Sequence, residues 1–326
     1  MSMPSLLVCG AVNWDTTLFV DNLPRPGEEL RVNRVISVPG GKGGNTAVAA
    51  ARILGKNQVG IVGMLGSDKI ADMQQEILLE EGVDVSCLAR HDELASGQAH
   101  VVVDSNGENM ILTHRAANAE LSRESIRGGG VAAAIESSNT LVVIDPPIEA
   151  AFELAMQAKK HGKSIVLSPA MLVNHGFSAL KDLLQASDYI ILNEHESRSL
   201  ASAEEGVAAC EELSCSLGGK PVITTLGSRG CILCHGGRKK EIPTMELASL
   251  GLKVVSTVGA GDTFEGAFAS FKIKGLADIE AAFLANVAAA LKITREQTRG
   301  SPSYEEIERY VESDPIRATF HALKLT

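Results

Sequence analysis

The stretch Thr257–Gly266, TVGAGDTFEG, places a glycine-rich turn and one carboxylate directly ahead of a helical pattern that runs to Lys274. A helix start offers free backbone N–H groups and partial positive charge, so it attracts anions. Glycines at 259 and 261 let the backbone come close to a ligand with no side chain in the way. Asp262 then has two readings: it sits where an N-cap belongs, or it is an acid that takes part in chemistry.

Outward from this turn, short apolar runs alternate with helical patterns. Leu6–Val12, Gln58–Met64, Leu141–Ile144, Ser164–Leu167, Tyr189–Leu192 and Pro221–Thr225 read as buried strands. Thr46–Leu54, Ile70–Glu81, Ile148–His161, Thr263–Lys274 and Ile279–Ile293 read as helices. This alternation predicts an α/β fold with a mostly parallel sheet and helices on both faces. Ligands of such folds bind at the carboxyl ends of the strands. Thr16–Val38 and Gly97–His114 instead alternate with period two, as in HVVVDSNGENMILTH with an Asn-Gly turn at 106–107. They predict half-exposed antiparallel hairpins that form one small β lid over the strand ends.

The chain of 326 residues is 45% hydrophobic, enough for a substantial core, and is expected to form a single domain over 1–326 with that lid. A net charge of −10 argues against nucleic acid or an anionic membrane surface as partner. No apolar run approaches the ~18 residues of a membrane span, and MSMPSLLVCGAV lacks the basic start of a signal peptide. A cytoplasmic location is the expectation. Cys231 and Cys234 form the only C-x-x-C, with no second pair to complete a zinc site. On a strand they would point to opposite faces, as structural thiols.

No G-x-G-x-x-G follows the first strand, and PGGKGGNTA fails as a Walker A loop because Gly43 follows Lys42. A phosphate site must be built differently, and GAGD at 259–262 is the candidate. Gly40-Gly41-Lys42-Gly43-Gly44-Asn45 precedes the helix TAVAAARIL. Its backbone can approach a polyhydroxylated ligand while Lys42 and Asn45 donate to hydroxyls, or Asn45 is simply an N-cap. Asp15, in GAVNWD, can accept from two neighbouring hydroxyls or serve as an ordinary turn residue.

GAVNWD, PGGKGGNTAVAAARILG, GENMILTHRAANAELS, LNEHE, TTLGSRG and TVGAGDTFEGAF occur in this order. Together they resemble the PfkB carbohydrate kinase family, on its ribokinase branch, from about Leu6 to Ile293. The resemblance implies a ribokinase-like three-layer α/β/α sandwich, ATP as donor, Mg²⁺ as metal, and a homodimer through the lid. It implies phosphoryl transfer to a sugar hydroxymethyl, D-ribose to D-ribose 5-phosphate, with a nucleoside or ribose-1-phosphate kinase as the alternative. A non-catalytic sugar binder on the same fold would need neither Asp262 nor GAGD. By matching motif, Asn13, Asp15, Gly41, Lys42 and Asn45 would hold the sugar, together with Asp145, where the family usually carries Glu. Trp14 would offer a surface for a stacked base. Asn193 and Glu196 would organise phosphates and Mg²⁺ through water. Thr225, Gly227, Ser228 and Gly230 would line the nucleotide, with Asn286 beside adenine. Gly259, Ala260 and Gly261 would form an anion hole, and Asp262 would be the base.

Ribokinases are typically activated by K⁺ held beside that hole, partly by an acid at the position of Ser256. A neutral hydroxyl there, with Arg295 and Arg299 downstream, implies little dependence on K⁺, the positive field coming from an arginine instead.

Overall fold

The structure is a computed structural model and describes residues 4–324. Its strands are β1 (Leu6–Gly10), β2 (Asn13–Phe19), β3 (Arg34–Gly40), β4 (Val59–Leu65), β5 (Val83–Asp84), β6 (Leu88–Arg90), β7 (Gly97–Val103), β8 (Asn109–His114), β9 (Thr140–Ile144), β10 (Ser164–Ser168), β11 (Tyr189–Asn193), β12 (Val222–Thr225), β13 (Cys231–His235) and β14 (Arg238–Ile242). The helices are α1 (Lys42–Leu54), α2 (Lys69–Glu80), α3 (Arg123–Arg127), α4 (Gly129–Ser137), α5 (Ile148–Lys160), α6 (Phe177–Ala186), α7 (Glu194–Leu200), α8 (Gly206–Ser216), α9 (Ala260–Ile273), α10 (Asp278–Lys292), α11 (Tyr304–Val311) and α12 (Asp314–Lys324).

The large sheet runs β14-β13-β12-β11-β10-β9-β1-β4-β5, with β6 also against β4. It is parallel from β12 to β5 and antiparallel only at the β12–β13–β14 edge. Its central strands are continuous apolar runs because helices cover both faces. Successive residues divide between two cores as the pleat requires. Leu6, Val8, Val142 and Ile144 pack with α1, α9 and α10. Leu7, Cys9, Leu141 and Val143 pack with α5, α6 and α8. The result is a three-layer α/β/α sandwich. Cys231 falls in the first core and Cys234 in the second, so the C-x-x-C faces both ways and chelates nothing.

A second sheet, ordered β3-β2-β7-β8, draws on the segments 16–38 and 97–114. Two details differ from the sequence reading. The central pair β2–β7 is parallel, joining two antiparallel hairpins. The first core strand also stops at Gly10, and β2 begins at Asn13, because Asn118 takes over the turn between them. Its Oδ1 accepts from Val12 N–H at 3.0 Å and its Nδ2 donates to Asn13 Oδ1 at 2.9 Å.

From β1 the chain crosses to β4 on one side and later returns to β9 on the other. Strand order reverses at β1, and the carboxyl ends of the strands there form the crevice. Among the described residues no helix is long and apolar enough to cross a membrane.

Candidate active site

Lys42 opens α1, the end of a helix where a cation is disfavoured by the backbone dipole. Acids offset that cost: Asp262 first, then Glu265, Glu196 and Asp145 raise its pKa. Gly41 precedes it at φ 85°, and a Cβ there would lie 2.4 Å from Asn13 N. A Cβ on Gly40 would overlap the Asp15 carboxylate. Those two glycines let the start of α1 close onto β2.

Gly43 and Gly44 have a different purpose from the ligand approach read in the sequence. Both lie inside α1. A Cβ would meet the Gly10 carbonyl carbon at 2.5 Å from Gly43, and Arg299 Nη2 at 2.3 Å from Gly44. Asn45 is not a cap either. It lies in the first turn of α1, and its Nδ2 donates to Asp262 Oδ2 at 2.7 Å.

Asp262 also proves not to be an N-cap. Gly259, at φ 81°, occupies the cap, and Asp262 is the third residue of α9. Gly259 is obligatory there, since a Cβ would stand 2.6 Å from the Thr298 carbonyl oxygen. Of the amides expected to form the anion hole, Ala260 N–H is taken by the Thr257 carbonyl at 3.2 Å. Of the first turn, that leaves the amides of Gly261 and Asp262 with no acceptor inside the helix.

Asp15 on β2 and Asp145 after β9 are both held uncharged to unusually high pH. Burial pushes Asp15 up to about 6 despite the guanidinium of Arg299, and pushes Asp145 up to about 6 despite that of Arg115. Asp145 sits at φ 51°, and Arg115 Nη2 donates to its carbonyl at 2.8 Å. In each acid, Oδ1 is buried with no hydrogen-bond partner in the protein. Two acceptors thus await donors.

Two cavities meet here. One, of about 640 Å³, is lined by Asn13, Asp15, Lys42, Asn45 and Asp262 beneath the small sheet, with Ala99 of β7 overhead. The other, of about 570 Å³, is apolar, bounded by Leu247, Val254, Phe264, Ala289 and Ile293. Thr225, Gly227 and Gly261 line both. Trp14 lines neither, because alternation along β2 turns it away from Asn13 and Asp15.

Ser228, Gly230 and Asn286 line the apolar cavity. Asn286 Nδ2 is committed to the carbonyls of Ile242 and Pro243 at 3.1 and 3.2 Å. Asn193 and Glu196 form a reciprocal capping box at α7: Glu196 N–H donates to Asn193 Oδ1 at 2.8 Å, and Asn193 N–H to Glu196 Oε2 at 3.1 Å. That leaves Glu196 Oε1 and Asn193 Nδ2 outside the box. Burial raises the Glu196 pKa.

Several residues around the site carry no sequence motif. Glu265 is buried in α9, accepts from Ser168 Oγ at 2.6 Å, and is pushed well up by burial and by Asp262. An acid within TFEGAFASF was the available signal. Gln74 of α2 accepts from Arg299 Nη2 at 2.8 Å and donates to the Asn13 carbonyl at 2.5 Å. Arg299, expected beside the anion hole, lies instead beneath the Asp15 end, where it also donates to the Gly40 carbonyl at 2.8 Å. Arg295 pairs with Glu306 and with the Gly300 and Ser301 carbonyls.

Comparison with known proteins agrees with this geometry. Ribokinase of Haemophilus influenzae is 29% identical over 314 residues, covering 94% of this chain and 98% of that one. The solved ribokinase of Thermotoga maritima is 30% identical with a TM-score of 0.83, covering 95% of this chain and 100% of that one. Arabidopsis thaliana ribokinase complexed with ribose and ATP is 26% identical with a TM-score of 0.86, covering 96% and 100%. Residues 3–304 match the model of the pfkB family carbohydrate kinases, and with the three layers, the GAGD helix start and the paired cavities in place, this chain belongs to that family.

Proposed function

We propose that this chain transfers the γ-phosphoryl group of ATP to the hydroxymethyl of D-ribose, giving D-ribose 5-phosphate. The observation that carries this reading is the pair of cavities that join at Gly261, beside Asp262. An apolar slot suits a base, a polar one suits a polyol, and the acid stands where the two ligands would touch.

Asp15 and Asp145 receive sugar hydroxyls on their unpartnered oxygens, while Lys42 and Asn13 orient the ring. Asp262, with Oδ2 steadied by Asn45, takes the proton of the attacking hydroxyl on its other oxygen. The first-turn amides of α9, Gly261 among them, stabilise the charge that develops on the phosphoryl oxygens. Thr225, Gly227, Ser228 and Gly230 contact the nucleotide, and Asn286, itself held at the β14 end, borders the base. Among the described residues no three acids, histidines or cysteines converge to cage a metal, which fits Mg²⁺ held by phosphates and water. Glu196 Oε1, left outside the capping box, would hold a water of that ion, with burial as the main cause of the raised Glu196 pKa. When bound, Mg²⁺ neutralises phosphate charge.

The small sheet roofs the polar cavity and would close to exclude water. Its edge strand β8 exposes Met110, Ile111 and Leu112, and an unpaired apolar edge favours a homodimer. Light scattering at micromolar protein should give twice the chain mass, and Ile111→Asp should give a monomer. A monomeric wild type refutes the pairing.

The deciding experiment is a coupled assay over ribose, ribose 1-phosphate, nucleosides and fructose 6-phosphate, with ATP and ADP as donors. Ribose with ATP should turn over fastest. Preference for a nucleoside or ribose 1-phosphate would select the alternative acceptor, and no turnover with any would refute the kinase reading.

A further inference from the structure

Lys292 ends α10, and its side chain is 0% exposed. A lysine so buried keeps its charge only where something answers it. Nζ donates to the Ser256 carbonyl at 3.2 Å. The stem passes beneath the first residue of the anion-hole turn: Cε lies 3.6 Å from where a Cβ on Gly259 would stand. Backbone bonds from Val255 and Ser256 to the Ile293 carbonyl, 2.8 and 3.1 Å, clamp this loop to the end of α10. Burial lowers the ammonium's pKa to about 8, with Asp262 pulling it back up and Arg295 pressing it down. It therefore stays charged at neutral pH.

We propose that the Lys292 ammonium is a built-in cation behind the anion hole, standing where the ribokinase branch places K⁺. The residues present do not fit that ion. Ser256 supplies a neutral hydroxyl, and its carbonyl, one of the oxygens an ion would need, already accepts from Lys292. A second cation there would also face the ammonium at close range. Both arginines that might have supplied the field are engaged elsewhere. Lys292 touches no reacting atom. It is a positioning residue that strengthens the positive field at the start of α9.

The proposal rests on the kinase reading, and its test separates the two. Calorimetry of a non-hydrolysable ATP analogue with the wild type, in K⁺ and in tetramethylammonium at fixed ionic strength, needs neither turnover nor a variant. Affinities equal within about twofold support the built-in cation, and tenfold tighter binding in K⁺ overturns it. A wild type that binds the analogue but phosphorylates no acceptor sinks only the kinase reading. Lys292→Met should cut kcat by roughly 10- to 100-fold, less than the ~10²–10³ lost with a direct donor, and leave the KM of the acceptor nearly unchanged. Lys292→Ala should regain part of that loss in K⁺ or ammonium but not in tetramethylammonium. Wild-type turnover by Lys292→Met, or a wild-type rate that drops tenfold without K⁺, overturns the proposal.

Discussion

Replacing Asp262 with Asn tests the chemistry most directly, because the change is isosteric and its effect on folding can be worked out beforehand. Asp262 occupies the third position of α9, where a negative charge gains ~0.3–1 kcal/mol from the helix dipole. The change also loses its attraction to Lys42 and Lys292; against those losses, its charge is one of the influences that raise the pKa of Asp15 and of Glu265, so neutralising it relieves repulsion in the same pocket. The carboxamide oxygen can still accept from Asn45 Nδ2, now 2.7 Å from Oδ2. With these terms opposed, net stability should fall by no more than about 1–2 kcal/mol, and Tm by only a few degrees. Turnover should fall by about 10²–10⁴, the usual range for a positioned base, which corresponds to ~3–5 kcal/mol at the transition state. Coupled ADP release gives kcat and KM, calorimetry gives ribose affinity, and scanning calorimetry gives Tm. A variant with unchanged ribose affinity and turnover within tenfold of wild type would refute the base, leaving Asp262 as a charge at a helix start.

Asp15→Ala should cost roughly 1–3 kcal/mol of acceptor affinity and leave nucleotide affinity intact; equal ribose binding by calorimetry would remove Asp15 from the site. Hydroxyls donate more strongly to the ionised acids, so acceptor affinity should be flat above neutrality and fall as pH drops through about 6, where Asp15 and Asp145 take up protons. Stability without ligand should slope the other way: the folded pKa of each acid lies above its ordinary value of 3.8, so stability falls as pH rises from about 4 to about 6. A pH series of ribose titrations and melts checks both signs. Gly44→Ala, with its new Cβ 2.3 Å from Arg299 Nη2, should lose ~1–3 kcal/mol of stability and weaken ribose binding, since Arg299 carries the Gly40 and Gln74 contacts. An unchanged melt would show that the guanidinium moves aside freely.

The layered fold was legible because its signals are local. Apolar runs such as Leu6–Gly10, punctuated by turns, announce strands buried on both faces, and the division of Cys231 from Cys234 follows from the two-residue pleat alone. The GAGD turn was equally readable, since its glycines and acid lie within four residues. Helix phase was less so: a cap was one of two readings for both Asp262 and Asn45, yet each lies inside a first turn, where it faces the other across 217 residues of chain. Tertiary structure alone decided the cations. Arg299 reaches Gly40 over 259 residues and Lys292 reaches Ser256 over 36. In sequence, a lysine that closes a helix is an ordinary partner for the dipole, and a long basic side chain is ordinarily solvated. Whether its ammonium meets water or a buried carbonyl depends on which segment packs over it, and no local pattern of residues carries that information.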